Sequence, residues 1–111
     1  MKLTPLDRNF TVSPQITVEE LPLLKQSGYR AIVNNRPDGE EPGQPAAEDL
    51  RREAERLGLA YAHIRVTPGQ PRDEDARALA RILADADGPV LAFCRTGNRS
   101  AKLWELSRPQ R

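Results

Sequence analysis

The chain has 111 residues, one cysteine, one histidine and a formal charge of +1. Apolar residues at 38% and charged residues at 30% predict one soluble globular domain over residues 1–111, with a modest core. Positive and negative charges nearly cancel, which argues against a nucleic-acid or membrane-surface binder because nothing supplies a broad basic field.

In chain order, Met1-Lys2-Leu3-Thr4-Pro5 lacks the apolar core of a signal peptide, and no later apolar run is long enough to cross a bilayer. Phe10-Thr11-Val12 is a weak strand, continued by Gln15-Ile16 after Pro14, and the proline predicts an edge position. Thr17-Val18-Glu19-Glu20 has the form of a capping box, with Glu20 reaching back. Pro22 fits the first helical position better than a turn inside, so the helix is predicted to start there, after a preceding turn, and to stop at Gly28.

Tyr29 to Asn34 is the second strand, and the Pro- and Gly-rich stretch from Asn35 to Pro45 is a loop. A helix follows from Ala46 to Leu57, with Ala47, Leu50, Ala54 and Leu57 on one face and i,i+4 pairs such as Glu48–Arg52 on the other. Leu59 to Val66 is the third strand, broken by Thr67-Pro68-Gly69-Gln70-Pro71. The next helix runs from Asp73 to Ala86, buries Ala76, Leu79, Ile82 and Leu83, and stops at Gly88-Pro89. Val90 to Phe93 is a short apolar strand, Cys94 to Arg99 a polar loop, and a last helix reaches Ser107, with Arg108 to Arg111 as a frayed tail.

Strands alternating with helices predict a three-layer α/β domain, a mainly parallel sheet covered on both faces. Ligands bind such sheets beyond the carboxyl ends of the strands. Three loops share that rim: Asn34 to Pro45, Thr67 to Arg72, and Cys94 to Arg99.

The last of these loops carries the chemistry. A thiol at a strand end, facing a helix N-terminus and flanked by Arg95 and Arg99, sits where amides, dipole and guanidinium groups favour the thiolate. The loop amides form an anion nest, and Gly97 permits a backbone conformation that a Cβ would oppose. Arg99 can hold two oxygens in a fork, while Thr96 and Ser100 can donate hydroxyl hydrogen bonds to the sulfur or the anion. With Arg95 and Asn98 they make an anion-binding loop around the nucleophile Cys94. The matching substrate is a tetrahedral oxyanion attacked by sulfur: a phosphate ester or thiosulfate. One cysteine forms no internal disulfide and, with one histidine, makes a poor metal-ligand set. No metal or cofactor is implied, and a reducing cytoplasm suits the free thiol.

Cys-Arg-Thr-Gly-Asn-Arg-Ser resembles the active-site loop of rhodanese-type sulfurtransferases, Cys-Arg-x-Gly-x-Arg. Cysteine-dependent tyrosine and dual-specificity phosphatases carry Cys-x-x-x-x-x-Arg instead, and Ser100 stands at that arginine position. Gln15-Ile16-Thr17, Val33-Asn34-Asn35-Arg36-Pro37-Asp38-Gly39-Glu40, Tyr61-Ala62-His63-Ile64 and Gly88 to Ser100 together resemble the beta-lactamase-hydrolase-like family over about Phe10 to Leu106. That resemblance implies a dual-specificity-phosphatase-like fold carrying a rhodanese-like loop.

The tighter loop favours a sulfurtransferase in which Cys94 takes sulfur from thiosulfate or a small persulfide and passes it to a thiol acceptor such as glutathione. A cysteine-dependent phosphatase is the alternative, and a non-catalytic anion-sensing adaptor a third. The phosphatase needs a proton donor. Asp38 is the candidate acid, or else a turn residue before Gly39, while Asp73 and Asp75 suit a helix cap. Arg36 either guides anions to the rim or is a solvated loop arginine. His63, several residues before the end of its strand, fits a local hydrogen bond better than a catalytic base, and Trp104 fits the core or a dimer contact better than substrate binding.

Overall fold

Short apolar strands buried on both faces make the centre of the molecule. The computed structural model describes residues 1–110. Five strands, β1 (Thr4–Asp7), β2 (Phe10–Ser13), β3 (Ala31–Asn34), β4 (Ala60–His63) and β5 (Val90–Phe93), form one sheet in the order β1-β2-β5-β3-β4. The pairs β2–β5, β5–β3 and β3–β4 are parallel, and only β1–β2 is antiparallel. Four helices cover it: α1 (Leu21–Gln26), α2 (Ala47–Arg56), α3 (Asp73–Asp85) and α4 (Asn98–Ser107).

Side chains that alternate along a strand point to opposite faces, so each central strand feeds two cores. Val90 and Ala92 of β5, with Ala31 and Val33 of β3, pack with Ala76 and Leu79 of α3 and Leu103 of α4. Leu91, Phe93 and Ile32 pack on the other face with Leu21 and Leu24 of α1 and Leu50 and Ala54 of α2. This is the expected three-layer α/β domain with a mainly parallel sheet. Among the described residues, no helix is long and apolar enough to cross a membrane.

Three expectations are corrected. β2 is not an edge strand: Thr4–Asp7, which has little apolar content, forms the edge and places Pro5 where a missing N–H is tolerated. The fourth strand is shorter than Leu59 to Val66, and its last residue is His63, so that ring stands at the rim rather than inside the strand. Arg108–Gln110 is not frayed but continues α4 as a 3-10 turn, with the Arg108 guanidinium 5.1 Å from the Trp104 ring centroid. Arg111 lies outside the described residues. Trp104 itself stacks on Phe10, centroids 5.9 Å apart, and completes the α3–α4 side of the core.

Helix starts follow their local chemistry. Glu20 accepts the Thr17 amide at 2.8 Å and closes a 3-10 turn, Val18–Glu20, from which α1 continues, one residue ahead of the expected start at Pro22. Arg72 caps α3, and Asp75 accepts its amide at 3.2 Å, so Asp75 does the capping work expected of it. α3 ends as Ala86 turns extended, before Gly88-Pro89 is reached.

Candidate active site around Cys94

β5 ends at Phe93, and Cys94 begins the turn into α4. The strand-to-helix reversal needs one residue with positive φ. Gly97 supplies it at φ 99°, immediately before the first residue of α4. The reversal wraps the backbone around the Cys94 side chain, which is fully buried. The Gly97 amide donates to Cys94 Sγ at 3.0 Å. Burial pushes the thiol up, but the amides of Ser100, Thr96, Gly97 and Arg99 pointing at the sulfur outweigh it and hold Cys94 below the ordinary thiol value of 9.0. Four main-chain donors therefore do what the sequence assigned to the nest.

The predicted hydroxyl donors behave differently. Ser100 Oγ donates to Asn35 Oδ1 at 2.7 Å, in a buried position, so its proton is directed away from the sulfur. Thr96 Oγ1 accepts the Asn98 amide at 3.3 Å and stiffens the turn. Both residues serve the thiolate through their amides. Asn98 begins α4 on the exposed side, and Arg95 is exposed, its Nε 3.9 Å from Glu41 Oε2.

Arg99 sits in the first turn of α4 and reaches across both other rim loops. Its NH1 and NH2 donate to Glu40 Oε2 and Oε1, each at 2.8 Å, and NH1 also donates to the Val66 carbonyl at 3.0 Å. Arg36, Glu40, Glu41, Pro68, Arg95 and Arg99 bound an opening of about 370 Å3. The three loops named from the sequence thus do meet. A fourth segment joins them: Ser13 at the end of β2 and Gln15 just beyond it bind the Cys94 amide and the Arg95 carbonyl through Cys94 N–H to Ser13 O and Gln15 N–H to Arg95 O, both at 3.4 Å.

Arg36 is not the solvated loop arginine that was one of its two expected roles. It borders the rim opening yet is 1% exposed, and it donates to Glu40 Oε1 at 2.8 Å, Glu41 Oε1 at 2.9 Å and Gln15 Oε1 at 3.1 Å. A charge removed from water needs such partners, and the sequence supplied them four and five positions later. Glu40 and Glu41 were missed because an Arg-x-x-x-Glu-Glu run in a loop has no periodicity to mark it. Glu40 is held below the usual carboxylate range, first by the Arg99 hydrogen bond, against burial, and then by Arg36. Asp38 ties the loop to the start of α2: its Oδ1 accepts the Ala47 amide at 2.8 Å. His63 Nε2 meets the Arg36 carbonyl at 2.8 Å, the local bond expected of it.

The chain has recognisable relatives. A model of the family described as "Beta-lactamase hydrolase-like protein, phosphatase-like domain" matches residues 2–110. Curated proteins named beta-lactamase hydrolase-like protein from Agrobacterium fabrum (strain C58) and Xylella fastidiosa (strain Temecula1) are each 36% identical to it, over 106 and 107 residues. The alignments cover 96% of this chain and 25% of each relative, so the chain spans a quarter of their length.

Among solved structures, a Neisseria meningitidis protein carrying a provisional phosphatase name superposes with a TM-score of 0.84 at 34% identity, covering 94% of this chain and 74% of its own. Pseudomonas aeruginosa TpbA in complex with phosphotyrosine superposes at 0.66 with 17% identity, over 91% of this chain and 58% of its own, a likeness of fold alone. The family model and the Neisseria likeness back the phosphatase alternative better than the sulfur-transfer expectation. With a family model spanning nearly all of its length and a buried cysteine loop at the rim of the matching fold, the chain belongs to the phosphatase-like domain family of the beta-lactamase hydrolase-like proteins.

Proposed function

We propose that this chain is a cysteine-dependent phosphatase-like hydrolase of small phosphate monoesters with good leaving groups. One observation carries the reading: Cys94 Sγ lies under the amides of Thr96, Gly97, Arg99 and Ser100 and is held towards its thiolate form, with the Arg99 guanidinium at the rim above. The family match and the phosphatase-like neighbours support it. The thiolate lone pair forms a bond to phosphorus, and the ester P–O bond breaks with its electron pair leaving on oxygen. The loop amides and Arg99 meet the charge on the phosphoryl oxygens. Water then attacks phosphorus, the S–P bond breaks, and phosphate and a proton leave Cys94 as thiolate.

The leaving oxygen sets the substrate class. Asp38 is bound to the Ala47 amide, and Glu40 is paired with two arginines and held ionised, so neither is presented as an acid. Phenoxide-type groups leave without prior protonation, whereas alkoxides need a donor. Aryl phosphates therefore suit this site.

The interval of four residues between Cys94 and Arg99 favours a second reading, sulfur transfer. There Cys94 attacks the outer sulfur of thiosulfate, the S–S bond breaks, and sulfite leaves with the electron pair and needs no proton. A thiolate acceptor such as glutathione then attacks the outer sulfur of the persulfide and frees Cys94. Intact mass after separate exposure to p-nitrophenyl phosphate and thiosulfate tests both readings. A phosphoryl adduct on Cys94, with turnover abolished in Cys94→Ser, is the expected result. A sulfur adduct without phosphate release overturns it and assigns the second reading.

A further inference from the structure

The most deeply buried charge near the site belongs to a residue that neither reaction uses. Arg36 is 1% exposed, its amide donates to Asn34 Oδ1 at 2.9 Å, and its carbonyl meets His63 Nε2 at 2.8 Å. Both ends of its main chain are thus tied to the rim ends of β3 and β4. Its guanidinium holds Glu40 through Nε at 2.8 Å, and the same Glu40 oxygen accepts Arg99 NH2 at 2.8 Å. The other Glu40 oxygen accepts Arg99 NH1.

We propose that Arg36 is a positioning residue for the oxyanion: it fixes Glu40, and Glu40 fixes Arg99 with one guanidinium edge turned to the substrate. The inference rests on the reading that Arg99 binds the oxyanion.

Proton counting carries the argument. A guanidinium has five N–H donors in a rigid plane. Arg99 gives two to the Glu40 carboxylate and a third to the Val66 carbonyl. Both NH1 protons and one NH2 proton are thereby engaged. The two that remain, on Nε and NH2, lie parallel along a single edge. That edge matches two oxygens of a tetrahedral anion. Without the carboxylate the long side chain would keep only the single Val66 bond, about which it can swing, and the edge would meet the anion only part of the time.

Glu40 alone would be a poor anchor, since it lies in a Pro- and Gly-rich loop. Arg36 corrects this by pinning Glu40 and Glu41 from beneath, with Gln15 as third acceptor. The relay Arg36–Glu40–Arg99 is thus continuous from a buried residue after β3 to the first turn of α4. Lysine at position 36 has no fork and cannot hold Glu40, Glu41 and Gln15 in one plane.

The test uses protection of Cys94 from iodoacetamide by inorganic phosphate, which is independent of the group transferred. In the wild type, phosphate slows alkylation. In Glu40→Gln and in Arg36→Lys, the phosphate concentration needed for half-protection rises about tenfold or more, the scale of a misplaced two-point contact. Alkylation without phosphate stays within about twofold, because the loop amides set the thiolate. Protection unchanged in Glu40→Gln overturns the relay, and protection weakened there but unchanged in a folded Arg36→Lys overturns the part given to Arg36. A bare alkylation rate that falls in step with protection marks a collapsed loop and overturns positioning in favour of a structural role. No protection in the wild type sinks the oxyanion reading itself, and the relay with it. If Arg36→Lys does not fold, Glu40→Gln decides alone.

Discussion

Ser100 Oγ and Asn35 Oδ1 meet at 2.7 Å across 65 positions of sequence, in a fully buried contact that joins the start of α4 to the end of β3. Asn35 completes the link by donating Nδ2 to the Ile64 carbonyl at 2.9 Å. The Cys94 turn is thereby fastened to the ends of two strands it does not belong to. Removing the hydroxyl in Ser100→Ala strands a buried acceptor, which costs about 1–3 kcal/mol. Urea unfolding should show that loss. Because the Ser100 amide remains, the pH midpoint of Cys94 alkylation should hold, and a large upward move would return the hydroxyl to the sulfur.

Cys94 gives a pH dependence of known sign. Its folded-state pKa is depressed below 9.0, so the ionised form is favoured by folding. Below the folded midpoint the thiol is protonated in both states and contributes nothing. As pH rises through that midpoint towards 9.0, the unfolded chain holds more proton and the folded state gains. The stability of the wild type relative to Cys94→Ser should widen over that window in its favour. A difference that is flat or narrows with pH contradicts the amide cradle.

Gly97→Ala probes the turn directly. The φ of 99° is strained for any residue with a Cβ, while the nearest atom that Cβ would meet, the Ser13 carbonyl oxygen, lies at 3.5 Å, an ordinary contact. Strain alone is therefore expected, about 1–3 kcal/mol. Its relief would swing the Gly97 amide off Sγ, so the alkylation midpoint should move up and turnover of an aryl phosphate should fall. A variant that loses stability but keeps the midpoint would separate the turn from the thiolate.

Asp38 separates a loop tie from an acid. Asp38→Ala removes the acceptor of the Ala47 amide and should cost about 1 kcal/mol, as loss of a helix N-terminal partner does. Aryl phosphate kinetics for Asp38→Asn should match the wild type across pH. Lower turnover with loss of the basic limb of the rate profile in that variant would restore Asp38 as the proton donor.

The order of strands and helices, the two-sided burial of Val90 to Phe93 and the turn after Cys94 follow from sequence alone, because each depends on neighbours within a few positions: a period of two, a period near four, a glycine at a reversal. β1 escaped because Thr4–Asp7 is nearly all exposed and has no apolar alternation to mark it. Only the tertiary structure decided which polar side chains serve the thiol and which serve the frame. Arg99 and Glu40 are 59 positions apart, so neither signals the other along the chain. Arg36 could be read as an exposed loop residue until the sheet rim closed over it and forced its charge onto Glu40 and Glu41. A buried ion must find its partners in space, and the spacing of residues along the chain carries no record of where space will bring them.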